Sequence, residues 1–370
     1  MRKLALIGAV LAAAAGMTAN VAQAETELNF GIISTEASAN QKKNWEPFLE
    51  AMTKATGLKV NGFYASDYAG VIEAMRFNKV QVAWYGNKSA MEAVDRSNAE
   101  VFAQTVSKDG STGYYAHIIV NTDSPYTKLD DILKCDKSID FSIGDPNSTS
   151  GFLVPTSYIF AAKNIDPKNC FKTLRNASHQ ANSMAVANKQ VAAATNNSED
   201  LTRMEGTAPD ARKKIRIIWT SPIIPLDPLT WRKDLDPAVK SKLYTFLMNY
   251  GRVGTPEEVK AAREILANLV WSPFKPSNND QLLPIRILEA NKSIMKINGD
   301  DKLTAEQKAE QIAPLQAALK KAEADTVKAE GGAFKKQVAA FVETDKTGDQ
   351  AAIKKMIGEF AAHAVTTPTN

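Results

Sequence analysis

The sequence predicts an α/β protein of two lobes joined by hinge strands and followed by a helical C-terminal extension. Three observations carry this reading. Short apolar strands alternate with amphipathic helical segments along most of the chain, the pattern of βαβ units that build a parallel sheet. The alternation runs twice, with a similar order of elements each time. Beyond residue 300 the composition shifts to Ala, Glu and Lys, a helical signature.

The elements follow in order. "LNFGII" (28–33) reads as a buried strand, "NWEPFLEAMTKATG" as an amphipathic helix stopped by Gly57, and "LKVNGFYA" as a second strand. The helical "YAGVIEAMRFNK", the strand "VQVAWYG", the helical "SAMEAVDRS" and the strand "VFAQTV" complete a first α/β series around a largely parallel sheet. From "YAHIIVN" a second series begins: "DDILK" helical, "SIDFSIG" strand, "FKTLRNA" strand, "ANSMAVANKQ" helix and "VAAATNN" strand. "FNKVQVAWYGNKSA" and "ANKQVAAATNNSED" rhyme, as two similarly built lobes would. "IRIIWTSPIIPLDPLTWRKDL" carries prolines among strand-like residues and reads as an extended crossover back to the first lobe. With the passage through Tyr115 to Asn121 it gives two hinge strands. Helices over "DPAVKSKLYTFLMNYG" and "TPEEVKAAREILANLV" complete that lobe.

In the tail, Thr304 to Gln307 has the spacing of a capping box, and Gly331-Gly332 marks a stop. Pro314 is expected to kink or split the helix between them. Ile312, Leu315 and Leu319 form a narrow apolar stripe suited to the body of the protein or to a second copy; a solvated appendage reads equally well. The expected division is 1–24 leader, 25–118 with 228–299 as lobe one, 119–227 as lobe two, and 300–370 as the extension.

The N-terminus bounds the class of protein. Arg2 and Lys3 precede an apolar run from Leu4 to Ala15, and Ala22-Gln23-Ala24 supplies a cleavage site before Glu25. This is the pattern of a secretory signal peptide. No later apolar run is long enough to span a bilayer, so the expected compartment is the periplasm, with a soluble mature chain. Cys135 and Cys170, the two cysteines, permit one disulfide in an oxidising compartment, though spacing does not fix its geometry. The formal charge of +4 falls to +2 when Arg2 and Lys3 leave with the leader. That balance carries no basic footprint for nucleic acid. Three scattered histidines and two distant cysteines do not compose a metal site, and no cofactor motif is present.

One stretch asks for more than a fold. "GDPNSTSGFLVPTSYIFA" (144–161) sets Asn147, Ser148, Thr149, Ser150 and Gly151 ahead of an apolar helical run. One such residue would cap the helix. Three consecutive hydroxyls exceed that need, and the unpaired N–H groups and dipole of a helix start suit an anion. Pro155 argues that the regular helix starts near Val154, with Ser148 to Gly151 as an irregular nest of N–H groups.

"LNFGIISTE", "DYAGVIEAMRFNKVQVAWYGNKSAMEAVDR", "GDPNSTSGFLVP", "AVANKQVAAATNNSEDL" and "DPLTWRK" occur in this order. Together they resemble the phosphonate-binding periplasmic proteins of ABC-type importers, over roughly Leu28 to Pro284. The resemblance implies a two-lobed periplasmic binding protein of type II-like fold that closes around a phosphonate and presents it to a membrane permease. It implies that Ser148, Thr149 and Ser150, with the phenols of Tyr68 and Tyr114, hold the phosphonate. It also places His179, Glu199 and Asp227 on the far side of the ligand, where two carboxylates make sense if the ligand carries an ammonium, as 2-aminoethylphosphonate does. Without the resemblance, the tyrosines read as core packing, Glu199 as a first-turn acid, Asp227 as a turn residue before Pro228, and His179 as a structural hydrogen-bonder. His117 and His363 have no such support. Trp84 and Trp231 are candidate reporters of closure. Dimerisation through the C-terminal helices is a further expectation of the resemblance.

A second function was weighed from the residue inventory, a secreted hydrolase of phosphorus esters using Ser150, His179 and Asp227 as a triad. The sequence lacks the Gly-x-Ser-x-Gly elbow that such a nucleophile uses, which favours a receptor that is not an enzyme.

Overall fold

A computed structural model describes residues 27–366 of the chain. The expected leader lies outside the described residues. Among them, no helix is long and apolar enough to cross a membrane.

β1 (Glu27–Ile32) lies between β2 (Lys59–Tyr64) and β3 (Val82–Trp84) and runs parallel to both. β4 (Ala99–Ser107) points the same way, but a strand that arrives much later separates it from β3. The chain then passes through the short β5 (Gly113–Tyr114) into β6 (Ala116–Asn121), which belongs to a second sheet. There β7 (Asp140–Ile143) is flanked in parallel by β8 (Thr173–Asn176) and β9 (Ala193–Asn197). β6 runs antiparallel between β9 and β10 (Ile215–Thr220). β11 (Ile224–Pro225) pairs with β5, so the outgoing and returning crossovers meet as a two-stranded ribbon. β12 (Pro228–Arg232) then enters the first sheet antiparallel between β3 and β4, and β13 (Trp271–Pro276) closes its edge.

Both sheets therefore share one plan, β2-β1-β3-β12-β4 in the first and β8-β7-β9-β6-β10 in the second. They are mixed rather than largely parallel. Each crossing delivers one strand from the opposite lobe, and that strand runs against its neighbours. The rhyme between the two series is structural, but its register is shifted by one residue from the Asn-Lys match. Asn78 and Lys189 adopt the left-handed conformation (φ 55 and 59) after equivalent helices. Eight positions later Gly86 and Asn197 are the N-caps of Asn87–Arg96 and Ser198–Thr207.

The first lobe holds the larger core, built around Phe30, Trp45, Phe48, Trp271 and Phe274. Phe341, Ile353, Ile357 and Phe360 of the C-terminal helices belong to the same core. Burying each such side chain contributes roughly 1.5 to 3 kcal/mol, so the tail is an integral layer of this lobe and not a solvated appendage. The capping box at Thr304 and Gln307 forms. Pro314 does not split the helix Ala305–Gly331, which runs on through it with its ring exposed. Ile312 and Ala322 are buried as this helix packs along Leu283–Asn298, so the apolar stripe rests on the protein's own body. The second lobe centres on Phe141 stacked against Phe171 at 4.4 Å. Beside them Cys135 and Cys170 form a disulfide.

Candidate functional site

The carboxyl ends of the parallel strands of both sheets face one cleft, where open α/β sheets bind ligands. Ile33 and Thr35 follow β1, Gly86 follows β3, Ser148 to Ser150 follow β7, and Asn197 ends β9. Helices Tyr68–Arg76, Asn87–Arg96, His179–Ala187 and Ser198–Thr207 start at the same place, so their positive dipole ends converge there. These residues enclose a cavity of about 350 Å³, mouth included.

The wall from the second lobe is built by the "NSTSG" turn. Gly144 donates its N–H to the Gly151 carbonyl at 2.9 Å. A Cβ on Gly144 would lie 2.6 Å from the Gly151 Cα, so only glycine allows this approach. Ser148 caps the following helix by accepting from Gly151 N at 3.0 Å. Helical structure begins at Thr149 as a π-turn over Thr149–Leu153, the first α-helical residues are Val154 and Pro155, as expected, and a second π-turn follows over Thr156–Phe160. The wider turn accommodates Pro155, whose missing N–H leaves a normal helical ladder incomplete.

Each hydroxyl of this turn accepts one N–H. Ser148 Oγ accepts from Gly151 N, Thr149 Oγ1 from Lys88 N at 2.9 Å, and Ser150 Oγ from Asn197 Nδ2 at 3.1 Å. With an acceptor site occupied, each O–H proton is directed away from its N–H donor. Ser148 also lies beside His179 Nε2 at 3.4 Å and the Tyr68 phenol. Tyr68 and Tyr114 are buried, and burial followed by the neighbouring Asp227 carboxylate holds both phenols protonated far above the ordinary tyrosine value. The wall is a set of O–H donors suited to a ligand group that only accepts.

Glu199 and Asp227 line the same cavity. Neither pairs with a lysine or arginine among the ion pairs of the described residues. Asp227 Oδ1 is buried without a hydrogen-bond partner. Burial pushes the Glu199 carboxyl up to about 7, with Arg203 opposing the shift. Burial, and then the Glu199 charge, raise Asp227 well above the carboxylate range. Two such acids do not both ionise readily, so one tends to stay protonated unless a positive charge joins them.

The structure gathers Tyr68, Tyr114, Ser148, Thr149, Ser150, His179, Glu199 and Asp227 around the one cavity. His179 is neutral there, because burial lowers its imidazole to about 4. Its Nε2 faces Asn197 Nδ2 at 3.3 Å. The triad of Ser150, His179 and Asp227 is not assembled. His179 Nδ1 and Asp227 Oδ1 each lack a partner, although a triad would join them, and the Ser150 hydroxyl is held by Asn197. Trp84 lines the cavity, whereas Trp231 is stacked on Phe102 within the first lobe's core. Sequence reading missed Asn197, Arg203 and Thr35, which also line the cavity. Asn197 carried a readable signal as the N-cap of a helix starting at the cleft; Arg203 carried none.

Residues 30–282 match the family described as ABC transporter, phosphonate, periplasmic substrate-binding protein. The Phosphonates-binding periplasmic protein of Escherichia coli (strain K12) is 51% identical over 301 residues, covering 81% of this chain and 87% of that protein. The chain belongs to the phosphonate-binding periplasmic receptors of ABC importers. Among solved structures, the binding protein component of an ABC phosphonate transporter from Pseudomonas aeruginosa superposes on the receptor with a TM-score of 0.79 at 48% identity, over 83% of this chain and 99% of that one. A Prochlorococcus marinus protein crystallised with methylphosphonate shares the receptor's fold, with a TM-score of 0.62 at 20% identity over 72% of this chain and 99% of that one. The Phosphate-import protein PhnD of Mycolicibacterium smegmatis is 27% identical over 62% of the receptor and 74% of its own length. The homologues are named as substrate-binding components of transport systems.

Proposed function

We propose that the receptor binds aminoalkylphosphonates, 2-aminoethylphosphonate foremost, and hands them in the periplasm to the permease of an ABC importer. The supporting observation is that the hydroxyls of Ser148, Thr149, Ser150, Tyr68 and Tyr114 and the carboxyls of Glu199 and Asp227 line one cavity. Three phosphonate oxygens meet hydroxyls with available protons, and the ammonium lies between the acids. Each hydrogen bond to a charged group is worth about 1.5 to 3 kcal/mol, so a handful accounts for micromolar affinity at about 8. The same acids disfavour phosphate, which brings them no cation, a distinction that matters beside a relative named for phosphate import. His179 serves as a neutral spacer that orients Ser148 and Asn197. Lobe one (25–118 and 228–299) and lobe two (119–227) close about the ribbon of β5 and β11, and the ligand favours closure by touching both.

Calorimetric titration tests the assignment. Glu199→Gln and Asp227→Asn should weaken 2-aminoethylphosphonate by about tenfold or more while changing methylphosphonate by less than about threefold. Ser150→Ala should weaken both ligands. Equal losses for the two ligands in the acid variants would remove the ammonium from between the acids.

A further inference from the structure

Besides the ligand-facing walls, the lobes meet at a second place. Three consecutive residues of the loop after β1 each bond to the second lobe. The Thr35 carbonyl accepts from Gln180 N at 3.2 Å, Ala37 N donates to Gln180 Oε1 at 3.0 Å, and Glu36 Oε1 pairs with Arg203 Nε at 3.2 Å. The Glu36 and Arg203 side chains are only 9% and 13% exposed, so bulk water screens this pair weakly. Arg203 is held from behind by Asp200 at 3.6 Å. Asp200 is itself fixed by Ser183 Oγ at 2.8 Å and Asn196 Nδ2 at 3.0 Å. On the other side, Gln41 Nε2 donates to the Ile33 carbonyl at 2.5 Å and to Thr35 Oγ1 at 3.3 Å, which sets the loop's shape before the lobes meet. Both halves are thus built within their own lobes and need only be brought together.

We propose that Thr35–Glu36–Ala37 and the pair Gln180 and Arg203 form an interlobe clasp that sets how long the closed receptor keeps its ligand. The proposal rests on the receptor reading above. Glu36 does not line the cavity, so its contribution acts through closure and not through ligand contact. Arg203 does line it and also favours ionised Glu199. It is therefore a positioning residue for the acid as well as the clasp's anchor. Bonds that form only on closure slow opening, and opening precedes release.

Stopped-flow tryptophan fluorescence on the full chain tests this with 2-aminoethylphosphonate and methylphosphonate. Glu36→Gln should speed release of both ligands by about tenfold and leave the association rate within about twofold, a change equivalent to about 1.4 kcal/mol. Arg203→Lys should speed release similarly, and the double variant should lose less than the product of the single losses, because both substitutions break one bond. Unchanged release in Glu36→Gln, or fully multiplicative losses in the double variant, overturns the clasp. If the wild type binds no phosphonate, the receptor reading fails separately. The clasp is then judged by small-angle scattering of the wild type and Glu36→Gln without ligand. A larger radius of gyration in the variant supports it, and equal radii overturn it.

Discussion

Asn197 offers the sharpest test of how the donor wall is built, because one side chain does two separable things. Its Oδ1 caps the helix Ser198–Thr207 by accepting from Asp200 N at 2.7 Å. Its Nδ2 reaches Ser150 Oγ at 3.1 Å and His179 Nε2 at 3.3 Å. Asn197→Ser keeps a good capping oxygen but is too short to carry the amide donor to either partner. Two neutral hydrogen bonds of about 0.5 to 1.5 kcal/mol each are lost, so affinity should fall about tenfold. The loss should be the same for 2-aminoethylphosphonate and methylphosphonate, since Ser150 serves the oxygens that both ligands share. Asn197→Ala should lose that affinity and, in addition, about 1 kcal/mol of stability with the cap. Calorimetry gives the affinities and thermal unfolding gives the stabilities. If Asn197→Ser bound both ligands as the wild type does, the amide would not be setting the Ser150 proton and the donor-wall argument would be refuted.

Proton linkage follows from the raised acids. Burial raises both the Glu199 and Asp227 carboxyls, so the pair holds on to protons more strongly than exposed carboxylates do. An ammonium that favours the ionised form should therefore expel protons on binding, and affinity for 2-aminoethylphosphonate should rise with pH until the acids are ionised. Titrations in buffers of different ionisation heat, corrected for each ligand's own ionisation, should show this release for the amino ligand and none from the acids for propylphosphonate. The disulfide joins residues 35 apart in sequence, and closing such a loop stabilises by about 4 kcal/mol. Reduction should lower the unfolding midpoint by several degrees and leave phosphonate affinity at 25 °C unchanged, because neither cysteine lines the cavity.

Much of this architecture was legible because its signals are local. Strand and helix patterns, the capping box at Thr304 and the serine-rich turn all declare themselves within a few neighbouring residues. What escaped depends on partners far apart in sequence. β12 enters antiparallel between β3 and β4, strands that precede it by more than a hundred positions, and no local pattern specifies its direction. From its local chemistry Pro314 reads as a kink or a split, and the helix Ala305–Gly331 is not split there. Pro155 reads as delaying the regular helix to near Val154, where the first α-helical residues lie, but π-turns flank them on both sides. Arg203 carries no local signal in the sequence. Its importance appears only when Glu36, remote in sequence, is brought to 3.2 Å.

The account's central claim is a pocket with donors at one wall and acceptors at the other, and a crystal structure with 2-aminoethylphosphonate tests it most directly. The phosphonate oxygens should lie within hydrogen-bond distance of the Ser148, Thr149 and Ser150 hydroxyls, with the nitrogen between Glu199 and Asp227. A ligand bound the other way round, or with its nitrogen in solvent and both acids untouched, would contradict it.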